Sequence, residues 1–512
     1  MSTSRPPTQP YLRAAAALLE NGVTAYQPTL ITAAEETLVA ALAEVPSSRN
    51  VLGAHLEGPF ISPERLGAHP AEAKRDPDRA LLERLLAATV SGGCSNRRRR
   101  TDPVGASWDT RNHHRESRQL RVGRVTAFAD GKIEVYLGPT ELGAPDDLEA
   151  VIVEFIEGAR KSLDIAVQEL DNPRIAQAIL DARWNGIDVN LFLEQDYLRS
   201  ELQGKPPKRP KPKSGETPEQ ALHRAQWLDD QTDLAENRRI LAALLRSDIQ
   251  VRGDYNPKIF HQKFVLRDYR DSKAQPTSAL LTGSANFTET DTHRNLNHIV
   301  VFNNAFVCRQ YETEVEQLRR GSFGRGLHGA IPKDYNLGGV PVKVLFAPDH
   351  TPELEFMKQM LKVRTNGTIW FAIFTFAGSS GIDDTMLALA RGGVTIRGVL
   401  DPGQAKQGWA APKWLQHPNI QLRIPKRKGV LASLRKVHHK LMVIDNRIVI
   451  AGSFNYTAPA NEYNDENLFV IGSPHEEVEG ITVELDPVRD IATHMRAEIE
   501  RLYALSEPFV PG

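Results

Sequence analysis

From residue 130 onward the chain alternates apolar runs of strand length with polar, glycine-punctuated stretches, and two of those runs are interrupted by charge in the same way. Residues 259–266 read Ile-Phe-His-Gln-Lys-Phe-Val-Leu, and residues 437–445 read Val-His-His-Lys-Leu-Met-Val-Ile-Asp. In a strand, side chains two apart leave the same face, so His261 is expected beside Lys263 and His438 beside Lys440. A second apolar run follows each, at 279–284 and 448–453, and opens into Gly-Ser-x-Asn, where glycine is expected to let the backbone approach a ligand closely. Each copy therefore offers a His, a Lys, a Ser and an Asn from adjacent strand ends: His261, Lys263, Ser284 and Asn286, then His438, Lys440, Ser453 and Asn455.

The duplication extends beyond these motifs. Residues 133–139, Ile-Glu-Val-Tyr-Leu-Gly-Pro, match residues 342–348, Val-Lys-Val-Leu-Phe-Ala-Pro, and both precede a helical stretch and an apolar strand, at 163–167 and 369–374. Residues 186–191 likewise parallel residues 393–398. A repeat of about 200 residues is too long for a solenoid and predicts two similar lobes of one α/β domain. Residues 481–505 are expected to form a closing helix.

The double His-x-Lys-x4-Asp pattern with Gly-Ser-x-Asn resembles the phospholipase D superfamily, over residues 130–505. The resemblance implies an α/β fold of two pseudo-symmetric lobes with mixed sheets, sharing one active site at their interface. A phosphodiester is anionic and resists attack, so its cleavage calls for neutralised nonbridging oxygens, a nucleophile and a proton for the leaving oxygen. Lys263, Lys440, Asn286 and Asn455 are candidates to hold the oxygens, with Ser284 and Ser453 as supporting donors. One imidazole would attack phosphorus to give a phosphohistidine while the other protonates the leaving alcohol and later activates water or an acceptor alcohol. Imidazole suits both tasks, its ordinary pKa of about 6.5 lying close to working pH. Neither metal nor other cofactor is expected.

Thirteen residues after Ser453 stands Glu466, which resembles the carboxylate that orients a catalytic histidine in this superfamily; the same offset from Ser284 holds Asn297, a residue type common in turns. We therefore expect one histidine to have carboxylate support and the other to lack it, without the sequence saying which. His439 points away from His438 and reads as a core residue. Asp268 and Asp445 belong to the motif, and as aspartates at strand ends they read as structural anchors.

The first part of the chain has a different character. Residues 22–30, the run Gly53-Ala54-His55-Leu56-Glu57-Gly58-Pro59-Phe60 and Gly67-Ala68-His69-Pro70 resemble an internal piece of N-acetylglucosamine-6-phosphate deacetylase, over residues 11–90. Glu57 falls at the position of a metal-binding carboxylate of that family. The family's barrel has eight strand-helix units and this piece could supply about two. A hydrolytic metal site needs about three protein ligands, so a partial barrel fragment without deacetylase activity is expected. The polar run that begins at residue 91 and includes Arg97-Arg98-Arg99-Arg100 shows neither helical nor strand period, and reads as a linker. The expected division is thus a fragment at 1–90, a linker at 91–128, a first lobe at 129–325 and a second at 326–512.

Composition refines the picture only modestly. With 512 residues, 41% of them hydrophobic, the chain is long enough for several domains with a sizeable core. A formal charge of −1 gives no global attraction to polyanions, so such binding would need local patches. Two exist: the proline-stiffened loop at 205–213, and the run Pro425-Lys426-Arg427-Lys428 with Leu434-Arg435-Lys436, which leads into His438. Cys94 and Cys308 imply no disulfide framework, and no apolar stretch is long enough to span a bilayer. A cytoplasmic monomer is expected, acting on a phosphodiester of phospholipid or nucleic acid, with peripheral membrane contact open to it. A phospholipase D is the leading reading, a nuclease built on the same histidines comes second, and a catalytically dead binding protein comes last. An apolar rim of Trp409, Trp414 and Ile424 would suit the first, and a groove of lysine and arginine the second.

Overall fold

The computed structural model describes residues 29–31, 55–57, 126–194, 239–254, 258–326, 331–472 and 485–511. The chain divides into two compact units, Met1–His113 and His114–Gly512. In the first unit the described residues are a parallel pair of short strands, β1 (Thr29–Ile31) and β2 (His55–Glu57), with Glu57 ending the second. The remainder of the deacetylase-like segment, almost all of the 91–128 linker and the basic loop at 205–213 lie outside the described residues.

The second unit carries two nine-stranded mixed sheets of matching topology. Strands β3 (Thr126–Phe128), β4 (Ile133–Gly138), β5 (Ser162–Val167), β6 (Asp188–Leu193), β7 (Gln250–Gly253), β8 (Lys263–Arg270), β9 (Lys273–Gly283) and β10 (Asn295–Phe302) form the first lobe. The second has β11 (Asp334–Leu337), β12 (Val340–Ala347), β13 (Thr368–Ile373), β14 (Thr395–Leu400), β15 (Ile420–Pro425), β16 (Lys436–Val437), β17 (Lys440–Ile444), β18 (Ile448–Gly452), β19 (Glu466–Ile471) and β20 (Ser506–Pro508). The first sheet runs β3-β4-β10-β9-β8-β5-β6-β7, with β16 of the second lobe pairing β10 as its ninth strand, and the second runs β11-β12-β19-β18-β17-β13-β14-β15, closed by β20. Along both of these strand paths the three strands joined through helices pair in parallel and the other neighbours pair antiparallel, which is what long crossovers and short hairpins respectively allow. Every residue of β5, β10, β12, β17, β18 and β19 is buried, as expected for strands covered on both faces.

Three apolar cores account for that burial. One lies under α1 (Leu148–Glu157) and α2 (Pro173–Trp184) on the outer face of the first sheet, another under α4 (Pro352–Met360) and α5 (Gly381–Arg391) on the second. The third joins the lobes, combining Phe302 and Leu280 with Phe469 and Val443 and with residues of α3 (Ala305–Arg319) and α6 (Leu485–Ala504). Helix α6 is the expected closing helix; it touches strands of both sheets. Among the described residues no helix is long and apolar enough to cross a membrane.

Two sequence expectations need correction. The histidines do not lie within the motif strands: β8 and β17 begin at the lysines, and His261 and His438 sit on the extended segments just before them. The reason is that the strands pairing β8 and β17 run out there, the last pairs being Val167 with Lys263 and Ile373 with Lys440. Beyond that point each segment bonds to the opposite lobe. The His261 N–H donates to the carbonyl of Asp465 at 2.9 Å, the His438 N–H donates to the carbonyl of Leu296 at 2.9 Å, and β16 joins β10 as a parallel strand. The motif glycines also serve a different approach from the one expected. A Cβ at Gly283 would collide with the carbonyl of His298, and one at Gly452 with that of Asn467, so glycine lets neighbouring strands close on each other.

The motif aspartates tie loops to strand ends. Asp268, at φ 53°, accepts from the N–H groups of Arg160, Lys161 and Ser162 and from the Thr277 hydroxyl; Asp445, at φ 51°, accepts from those of Arg364 and Thr368. Removing the Asp268 carboxylate strands the buried Ser162 N–H, removing that of Asp445 frees the half-buried Thr368 N–H, and either change places a less tolerant residue in the left-handed region. We expect Asp268→Ala to cost roughly 3 kcal/mol and Asp445→Ala roughly 2 kcal/mol, read by urea denaturation. Equal stability of either variant with the parent would contradict the anchor reading.

Candidate active site

His261 and His438 line one cleft of about 510 Å³, together with Asn286, Asn455, Lys436 and Phe374. They arrive from opposite lobes, and each is held by the lobe it does not belong to. His261 Nδ1 lies 2.7 Å from Glu466 Oε2, at the start of β19; His438 Nδ1 lies 3.0 Å from Asn297 Oδ1, near the start of β10. Asn297 is therefore a strand residue in contact with the site, not a turn residue, and Glu466 supports His261.

The serines stand one step behind. Ser453 Oγ donates to Glu466 Oε2 at 2.6 Å and accepts from the Asn467 N–H at 3.0 Å. Ser284 Oγ donates to Asn297 Oδ1 at 2.7 Å and accepts from the His298 N–H at 3.0 Å. Asn297 Nδ2 donates to the carbonyl of Asp291 at 2.9 Å, which fixes its Oδ1 as the acceptor facing His438. With an acceptor at Nδ1, the ring's Nδ1–H is engaged and Nε2 is left for the cleft.

The lysines are buried beneath the lining, Lys263 donating to the carbonyl of His261 at 2.6 Å and Lys440 to that of His438 at 3.0 Å. Asn286 is buried with its Oδ1 unpartnered, and its N–H donates to Asp291 Oδ2 at 2.6 Å. Asn455 Oδ1 accepts from the Thr375 N–H at 3.3 Å. His439 is a core residue, stacked on His298 with ring centroids 5.5 Å apart. Asp268 and Asp445 are absent from the cleft lining.

The chemistry-bearing groups are cationic or neutral bases crowded out of water. Burial pulls both imidazoles well below their ordinary range, and the neighbouring lysines push the same way. Burial brings Lys263 down to about 8 and Lys440 well below its usual range. Burial also raises Glu466, to about 8, against the pull of Lys263 and the Ser453 hydroxyl. The carboxylates near the lysines, Glu466 and Asp291 among them, offset burial only in part, and an anion entering the cleft would favour the charged forms further.

Phe374, Lys436 and Gln168 carry no motif signature, and sequence reasoning found only Lys436, through its basic run. The Lys436 ammonium sits 5.5 Å over the Phe374 ring, and that ring packs against His438 at 5.0 Å between centroids. Gln168 Oε1 accepts from Lys263 Nζ at 3.3 Å. Of the expected apolar rim, half-exposed Trp409 lines the cleft, Trp414 donates to Asp383, and Ile424 packs on the second lobe's core. Among the described residues, acidic and histidine side chains close enough to share a metal occur at Glu149, Glu289 and His293, outside the cleft lining, where Glu149 already pairs with Arg174.

The family described as cardiolipin synthase, PLD-like domain, matches residues 152–319 and 357–502, more than half of the chain. The chain belongs to the phospholipase D-like family. A phospholipase D of Rickettsia bellii is 34% identical to this family member over 96 residues, 18% of this chain and 45% of the relative. The chain thus spans less than half the length of that relative. A mitochondrial cardiolipin hydrolase of Chlamydomonas reinhardtii is 29% identical over 187 residues, 32% of this chain and 80% of the relative. A separate short likeness is to the N-acetylglucosamine-6-phosphate deacetylase of Bos taurus, 39% identical over 85 residues, 15% of this chain and 20% of the relative.

The His261–Glu466 pair yields a pH prediction. While Glu466 holds its proton it donates to Nδ1 and leaves the ring N–H on Nε2; once ionised it accepts Nδ1–H and frees the Nε2 lone pair. Carbethoxylation of His261 should therefore rise with pH through about 8, the value to which burial raises Glu466. In Glu466→Gln that step should vanish, as followed by peptide mapping.

Proposed function

We propose that this protein is a phosphodiesterase that works through a phosphohistidine on His261, with His438 as acid and base. The observation that carries the reading is the pair of imidazoles in one cleft, each fixed at Nδ1 by the opposite lobe. His261 Nε2 attacks phosphorus while His438 Nε2 gives its proton to the departing oxygen; the P–O bond breaks as the N–P bond forms. The neutral His438 then takes a proton from water, whose oxygen displaces His261. Glu466 favours His261 as nucleophile, because its carboxylate offsets the positive charge that the ring gains on phosphorylation. Lys263, Lys440, Asn286 and Asn455 neutralise and orient the nonbridging oxygens, while Ser284 and Ser453 brace Asn297 and Glu466. None of these steps draws on a metal.

A phospholipid head-group diester is the substrate class we favour, in keeping with the phospholipase D and cardiolipin hydrolase relatives and with apolar Trp409, Ile259 and Phe374 in the lining. A nucleic-acid diester is the second reading, favoured by exposed Lys436 at the cleft.

Quenching turnover of a phosphorus-labelled diester and mapping the phosphopeptide should place the label on His261 alone; equal labelling of residue 438 would remove the assignment. Side-by-side assay on phosphatidylcholine, single- and double-stranded DNA and a bis-aryl phosphodiester should show activity that His438→Ala lowers about a hundred- to ten-thousand-fold. Activity surviving that substitution would mean that the chemistry lies elsewhere.

A further inference from the structure

The two copies of the motif differ at two related positions. Where the second has Glu466, the first has Asn297; where the first has Asp291, seven residues after Ser284, the second has Ala460. Both Asp291 and Ala460 are buried, at 2% and 0% exposure. The carboxylate missing beside His438 at one position is thus present at another.

Asp291 stands beside His438 and is bonded to Asn297, which holds the ring. Its Oδ2 lies 3.6 Å from His438 Nδ1, too far for a hydrogen bond and close enough for strong charge interaction in a buried site. The same oxygen accepts from the N–H of Asn286, its backbone carbonyl accepts from Asn297 Nδ2, and its Oδ1 accepts from Asn295 Nδ2. The other charged groups that bear on His438 push against a proton: Lys436 and Lys440 on its own segment, and Lys263 and His261 from the first lobe. Glu466 is engaged by His261, and Glu169 also lines the cleft. Asp291 also favours the charged forms of Lys263 and Lys440.

We propose that Asp291 is a positioning residue for His438, a displaced carboxylate that stabilises the imidazolium electrostatically while Asn297 alone makes the hydrogen bond. The proposal rests on the phosphohistidine reading, in which His438 must carry the proton that goes to the leaving oxygen. It makes the two histidines unequal in kind: one has its carboxylate in direct contact and the other has it behind an amide. That arrangement holds the acid ring in place without drawing the proton off Nδ1.

Asp291→Asn is the informative variant because it deletes charge at constant shape. Asn295 Oδ1 is buried without a partner, so turning that amide over would accept the new N–H. The His438 ring is followed by NMR titration of carbon-labelled histidine in the full chain, assigned against His438→Gln, alongside the pH profile of kcat on a bis-aryl phosphodiester. In Asp291→Asn both the His438 titration and the alkaline limb of kcat should move down by about one pH unit, a tenfold change in the imidazolium fraction, with KM little altered. Superimposable titrations in parent and variant would overturn the proposal, whatever happens to the rate, since a bracing role alone leaves the ring's proton affinity where it was. If Asp291→Asn does not fold, Asp291→Ser keeps an acceptor for the Asn286 N–H and gives the same reading. Absence of any diesterase activity in the parent would instead fail the functional reading, and the titration would still decide the part played by Asp291.

Discussion

Each histidine of the cleft is positioned by a side chain from the other lobe, and the rest of the site follows from that exchange. Glu466 reaches His261 and Asn297 reaches His438, while the main chain beside each histidine leaves its own sheet and hydrogen-bonds to the opposite one. Two imidazoles on separate lobes would otherwise depend on the lobe packing for their alignment. Here the same bonds that join the lobes set the rings. The mixed core of Phe302, Phe469 and helices α3 and α6 makes that junction rigid, because a close-packed apolar interface resists sliding.

Burial then decides the electrostatics. Lys263 and Lys440 would be ordinary ammonium groups in water, and beneath the cleft both are held below their usual range. Glu466 moves the opposite way for the same reason, since desolvation disfavours whichever form is charged. A cleft so built has little to gain from water and much from an anion that can meet several donors together. The serines fit this economy: their hydroxyls bridge a strand N–H to the residue that holds the ring, so the orienting groups are themselves fixed.

Much of this was legible in the chain. The repeated His-x-Lys and Gly-Ser-x-Asn segments led to the residues that meet in the cleft, and the matched apolar runs led to two sheets of equal topology. The pattern misled at the strand ends, where pairing within the sheet runs out. A period of two marks extended backbone but not which strand it pairs with, so His261 and His438 read as members of strands that in fact begin at the lysines. Glycine likewise signalled a close approach without naming its partner, which proved to be a neighbouring carbonyl.

What the chain determined unaided was the chemistry available: which donors, bases and carboxylates exist, and that they come in two copies. Local order suffices for that, because residue type and alternation are properties of neighbours along the backbone. Which ring receives Glu466, that Asn297 is a partner rather than a turn, and that Asp291 stands 3.6 Å from His438 were decided only when two segments far apart in sequence were packed across an interface. Those pairings carry no local signature, since the contacts that define them span more than a hundred residues and are selected by the fit of one sheet against the other.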